Sequence, residues 1–163
     1  MRASLRIALF AAGTLTGLAA CDTGPRAQPT SATEPAVARV RLNYEPVGKA
    51  MKVKIGSKRF TATLDDNPAV AKLKGMLPLT VDMSELNGNE KLYRLPTPLP
   101  TDAAIPGTIR AGDLMLWQSD TLVLFYETFP TTYSYTRLGR IDDPAGLAAA
   151  VGSRTVTVTF ELD

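Results

Sequence analysis

Cys21 is the only thiol in the sequence, and histidine is absent. Those two counts exclude histidine-dependent triads, histidine general bases, histidine metal sites, an internal disulfide and a cysteine-rich zinc site. The remaining side chains with chemistry to offer are aromatic, cationic and acidic. Trp117, Phe125, Tyr126, Phe129, Tyr133 and Tyr135 fall close together. Aromatics in strands commonly fill a core. Tyr and Trp also keep a polar end and suit a half-open cleft. With Arg94 and Arg137, such a cleft would favour an anionic or carbonyl-bearing ligand. The adjacent acids Asp65-Asp66 have no neighbours that complete a metal ligand set, so they read as a helix start, and no metal or cofactor is expected.

The whole chain has 163 residues, room for one domain, with 45% apolar and 21% charged residues. The formal net charge of +2 includes Arg2 and Arg6. Without them the charge is zero, which argues against non-specific nucleic-acid binding. Arg2 and Arg6 precede the apolar or small stretch Ile7–Ala20. This has the length of a signal h-region and is short for a transmembrane helix, which needs about 20 apolar residues. Leu18-Ala19-Ala20-Cys21 resembles the bacterial lipobox, in which the cysteine is acylated and becomes the new N-terminus. The resemblance implies an envelope lipoprotein held by membrane lipid through Cys21, on the extracytoplasmic side. The other reading is an ordinary signal peptide with a stray cysteine. Residues 1–20 are thus a predicted signal peptide. Residues 21–35, rich in Pro, Ser, Thr and Ala, are a predicted disordered tether. A folded domain is predicted over 36–163.

The elements that must position the aromatic set centre on Ala111–Glu127. Leu114–Trp117 and Thr121–Tyr126 are apolar runs joined by the polar turn Gln118-Ser119-Asp120, so both faces of each strand should be covered. Ala38–Leu42 alternates like a half-buried strand. Met51–Ile55 and Arg59–Leu64 should form a hairpin around Gly56-Ser57. Lys52, Lys54 and Lys58 read as its wet face. Asn67 and Pro68 should start a short helix ending at Gly75 in a left-handed cap. Leu77–Met83 and Lys91–Leu95 should be strands about the turn Asn87-Gly88-Asn89. Pro96–Pro106 is an extended loop that cannot join a central ladder. A second helix should begin at Asp142-Asp143-Pro144, run over Ala145–Val151 and end at Gly152. Thr155–Leu162 should close the fold with Val156, Val158 and Phe160 inward. The fold class is mainly β, a barrel or sandwich.

From Met51 to Asp163 the chain resembles the bacterial cyclophilin-like domains, related in fold to the cyclophilin peptidyl-prolyl isomerases. The carrying pieces are Leu64-Asp65-Asp66-Asn67, Leu77-Pro78-Leu79, Gly112-Asp113-Leu114, Leu124-Phe125-Tyr126 and the run from Tyr133 to Ile141. The resemblance implies a closed cyclophilin-like barrel of about eight strands with two short helices, one at each end. In true cyclophilins the arginine of Phe-His-Arg donates to the prolyl nitrogen. The matching stretch here is Leu92-Tyr93-Arg94, so Arg94 is the candidate catalytic residue, with His replaced by Tyr and Phe by Leu. Trp117 and Gln118 fall on the segment before a Gly-rich loop that is missing here. Phe125 falls on the floor of the proline pocket, and Tyr135 near its histidine. The candidate ligand-binding residues are therefore Tyr93, Arg94, Trp117, Gln118, Phe125, Tyr135 and Arg137. Trp117 is expected partly exposed at the end of the barrel where the interior opens, close to Phe125 and Tyr135. The expected activity is a non-catalytic binding or accessory module for a peptide or small molecule; the alternative is a weak isomerase using Arg94 and Phe125.

Overall fold

The computed structural model describes residues 49–163. The signal segment, Cys21, the tether, the start of the domain at Ala36 and the Ala38–Leu42 strand lie outside the described residues. Ala50–Ile55 (β1) and Lys58–Leu64 (β2) form the expected hairpin, in register from Ala50 opposite Thr63 to Ile55 opposite Lys58. Gly56 in its turn has φ 57°, a conformation that glycine adopts without steric cost.

Pro68–Lys74 (α1) starts as its sequence dictates. The Asn67 side-chain oxygen accepts from the Val70 amide at 2.9 Å, and Pro68 occupies the first turn, where a missing N–H is harmless. Its end differs from expectation. Gly75 has φ −68°, right-handed, and its amide donates to the Lys72 carbonyl. The helix tightens into i→i+3 turns, because Met76 and Leu77 in turn donate to Leu73 and Lys74.

Leu79–Leu86 (β3) and Glu90–Arg94 (β4) meet at a turn with Asn87 at φ 57° and Gly88 at φ 72°, the paired positive values of a type I′ hairpin. Thr108–Ile109 (β5) and Phe129–Pro130 (β8) make a separate two-stranded sheet. Neither strand is legible in the sequence, since two residues carry no periodicity. Asp113–Trp117 (β6) and Thr121–Phe125 (β7) are the central hairpin, and every residue of its two strands is buried except Trp117. Thr136–Ile141 (β9) and Val156–Leu162 (β10) complete the barrel. Its closed order is β1-β10-β3-β4-β7-β6-β9-β2.

Leu147–Val151 (α2) begins later than the sequence suggests. Asp143 does cap a turn, accepting from the Ala145 amide at 3.0 Å. Gly146 then takes φ 79°, and a left-handed residue cannot continue a right-handed helix, so the helix starts after it. β2 and β9 run antiparallel, Leu64 opposite Gly139 and Ile141 opposite Ala62, so the chain leaves β2 towards α1 and β9 towards α2 in opposite directions. Each helix drives apolar residues into the core: Ala69, Val70 and Leu73 from α1, and Leu147 and Val151 from α2.

Two apolar clusters follow from the period of two. Leu114, Leu116, Leu122, Leu124, Val158 and Phe160 belong to the interior cluster, and Val156 is only half-buried against it. Met115, Val123 and Phe125 alternate with them and point out of the barrel. There they join Ile109, Tyr135, Leu92 and Phe129 in a second cluster on the outer face. This explains why the hairpin is apolar throughout: its outer face lies beneath a layer of loops and the β5–β8 sheet.

Candidate functional site

On β4 the outward positions are Glu90, Leu92 and Arg94, which pair across to Phe125, Val123 and Thr121 of β7. Thr121 pairs in turn with Trp117 of β6. These positions floor a cleft of about 430 Å³ on the outer face, lined by Glu90, Leu92, Arg94, Trp117, Thr121 and Val123 and rimmed by Leu86, Asn87, Tyr133 and Tyr135. Trp117 is 42% exposed and Tyr133 is 68% exposed. Trp117 is thus accessible and shares a cleft with Tyr135, as expected, but it stands on the outside of the barrel rather than at an opening of its interior. Strand alternation decides this: Leu116 takes the inward position, so Trp117 must face out.

The cleft has two ends. At one, Arg94 Nε donates to Asp120 Oδ2 at 2.8 Å. That bond, acting first, holds the Asp120 carboxyl below its usual range, with the Thr121 hydroxyl adding to it against some desolvation. At the other end lies Phe125, fully buried, with its ring centroid 5.5 Å from Tyr135 edge-on and 5.7 Å from Phe129. Arg94 and Phe125 sit four cross-strand positions apart, roughly 13 Å at 3.3 Å per residue. Phe125 supports the cleft from below, through Tyr135, and presents no ring surface of its own to it. The same spacing separates Phe125 from Trp117.

The remaining sequence-predicted residues disperse. Tyr93 points to the other face of β4 and packs against the interior cluster. Gln118 is exposed in the hairpin turn with φ 54°. Arg137 lies in a neighbouring cleft of about 460 Å³ with Asp65, Asp66 and Asp102, and its Nε is 3.2 Å from Asp65 Oδ2. The two arginines therefore occupy different clefts, and each already faces an aspartate. Tyr135 is the residue that lines both.

Glu90 is the residue that sequence reading passed over. It is 9% exposed, lines the cleft, and burial together with the nearby Glu85 charge pushes its carboxyl pKa above the usual value. The one available signal was its place two residues before Leu92 and four before Arg94, on one strand face. That signal means little until Tyr135 is known to cover the face. Burial, and then the Glu90 charge, raises the Tyr135 phenol in return.

Behind the cleft floor, β4 turns Lys91 into the barrel, completely buried. Its Nζ donates to the Arg154 carbonyl at 2.6 Å, stands 2.5 Å from Glu85 Oε2 and lies 5.7 Å from the Tyr126 ring centroid. Tyr126 donates its hydroxyl to Glu85 Oε1 at 2.8 Å, and burial plus that carboxylate push its pKa up to about 12. This polar knot has no opening to the cleft lining and serves the fold.

Comparison with known proteins agrees with this architecture. A hypothetical protein of Archaeoglobus fulgidus, solved in solution, aligns with a TM-score of 0.56 at 16% identity, covering 72% of this chain and 96% of that one, which shows a shared fold. No curated protein matches the sequence. The family model described as the cyclophilin-like family matches residues 53–161, nearly the whole described barrel. The chain belongs to the cyclophilin-like family.

Proposed function

We propose that this protein is a bacterial envelope lipoprotein, anchored in membrane lipid through acylated Cys21, whose barrel is a non-catalytic module binding an extended peptide on its outer face. The observation that carries the binding reading is the placement of apolar surface. Three of the five large hydrophobics exposed among the described residues, Leu86, Trp117 and Tyr133, border the one cleft, and Ile105 and Leu162 lie elsewhere. Clustered exposed apolar groups in a concave site mark binding surfaces. Aromatic-lined grooves suit extended, proline-containing peptides, whose ordering cost is low. The non-catalytic part rests on Arg94, which is held by Asp120 and stands far along the strand from Phe125. Accelerating prolyl rotation means lowering a barrier of about 20 kcal/mol, and one donor already engaged is poorly placed to do so.

Proline-containing peptides titrated against residues 36–163 should change Trp117 emission, and Tyr133→Ala should weaken that response several-fold without lowering Tm. The same protein in a protease-free isomerase assay should leave the exchange rate at its uncatalysed value. Strong acceleration lost on Arg94→Ala would instead establish the isomerase reading.

The anchor is tested separately. In a bacterial host the mature chain should begin at Cys21 and partition with membranes, and Cys21→Ser should abolish palmitate labelling. A soluble mature protein with a free Cys21 thiol would refute the anchoring.

A further inference from the structure

Glu90, a residue only 9% exposed, lines the cleft together with Leu92, Val123, Tyr133 and Tyr135, while the polar Arg94 and Thr121 lie towards its other end. No hydrogen bond to its carboxyl contributes to its titration; burial and the Glu85 charge alone do so. A carboxyl desolvated in a cleft wall without a partner costs free energy, and native proteins keep such groups paired or use them. Every charged or titratable group facing this end from the surrounding elements fails to compensate it. Glu85 on β3 is itself acidic. Glu127, beyond β7, adds a second negative charge felt at Tyr126. Tyr135 and Tyr133, ahead of β9, bring phenol rings and no cation, and Thr131 offers its hydroxyl to Tyr135. Lys91, the nearest cation in sequence, faces the barrel interior and belongs to Glu85 and the Arg154 carbonyl. Arg94 is four residues along the strand and belongs to Asp120.

The Glu90 end of the cleft is therefore acidic, unpaired and walled by aromatic rings. An ammonium group fits all three properties. It would pair with the carboxylate while Tyr133 and Tyr135 supply ring faces that attract cations. Its apolar body would lie on Leu92 and Val123 towards Trp117. We propose that the cleft recognises a ligand carrying a primary amine on an apolar body, the amine meeting Glu90. This rests on the reading of the cleft as a binding site and names the ligand class it takes. It also departs from the anionic ligand that Arg94 and Arg137 suggest in the sequence.

The structure implies a signature that a merely structural glutamate would not show. A carboxyl with a raised folded pKa favours the fold while protonated and opposes it once ionised. The free protein should thus lose stability as pH rises from about 4.5 through the raised folded value. Glu90→Gln removes that loss, so its Tm at pH 7 should equal or exceed that of the wild type while amine binding falls.

The test uses three probes of similar shape, phenethylamine, 2-phenylethanol and 3-phenylpropionate, with the whole mature chain and Trp117 emission or amide shift mapping as readout. The expected result is that phenethylamine binds most tightly, strengthens as pH rises through the Glu90 titration, and weakens at least tenfold in Glu90→Gln, with 2-phenylethanol unaffected. Equal binding of amine and alcohol, unchanged in Glu90→Gln, overturns the inference and leaves the cleft reading intact. Preference for 3-phenylpropionate overturns it in favour of the arginine end. Binding of none of the three also overturns it, while the proline-peptide titration still judges the cleft independently. A Glu90→Gln protein that loses stability at pH 7 would assign Glu90 to the fold and overturn it too.

Discussion

Gly139→Ala should abolish the folded state or come close to it. Gly139 sits in β9 opposite both Leu64 of β2 and Leu114 of β6, where the β6–β9 register shifts by one residue. Its φ is 157°, and a Cβ built there would overlap the Thr63 carbonyl oxygen and stand 3.0 Å from Leu64 Cα. The obstacle is backbone in a neighbouring strand, which no rotamer change relieves. β2 would have to move away from β9, and these two strands help close the barrel. The expected cost is about 4 kcal/mol or more, at the diagnostic end of single substitutions and comparable with a small domain's whole stability. Loss of the β-type far-UV spectrum, or a collapse of the urea midpoint, is the readout. Gly75→Ala is the matched control. Gly75 is right-handed and its nearest neighbour to a new Cβ is 3.4 Å away, so alanine should be neutral or raise Tm slightly. A left-handed cap, as the sequence alone suggests, would make the same change destabilising.

Glu85→Ala should cost about 3 kcal/mol, because it strands the fully buried Lys91 ammonium without its carboxylate. Restoring an apolar interior tests the mechanism: adding Lys91→Met to the Glu85 variant should recover most of the loss, since a buried pair replaced as a whole is often neutral. The same pair predicts an acid limb. Desolvation raises the Glu85 carboxyl, but bonds from Lys91, Tyr126 and the Gly88 amide outweigh it and hold the pKa below its ordinary 4.5. A folded pKa below the unfolded one gives stability that is complete above about 4.5 and fades as pH falls through the folded value. Urea unfolding from pH 7 down to pH 3 should show this fall in the wild type and a flatter profile in the double variant. A Glu85→Ala protein as stable as wild type would remove Lys91 from the core account.

Local chemistry made much of the barrel legible. Asn87-Gly88-Asn89 reads as a turn between two strands, and Asn67-Pro68 carries both the cap acceptor and the residue that tolerates the first turn. The unbroken apolar runs of β6 and β7 required two covered faces, because leaving either in water would expose a continuous hydrophobic stripe. What covered the outer face was not legible. It is the loop layer with β5 and β8, held by pairings such as Ala104 with Tyr135 that span the sequence. The candidate site divides the same way. Aromatic and arginine residues could be named from their types, but Arg94 with Asp120 and Arg137 with Asp65 are pairings made by folding, and they removed two apparent anion sites. Glu90 and Lys91 are neighbours in the chain, at the start of the strand that the sequence suggests over Lys91–Leu95. The two-residue period sends one out under Tyr135 and the other into the barrel against Glu85. Sequence determines that alternation. Only the closed sheet decides which side is interior, what lies over the outside, and therefore which of the two charges is left without a partner.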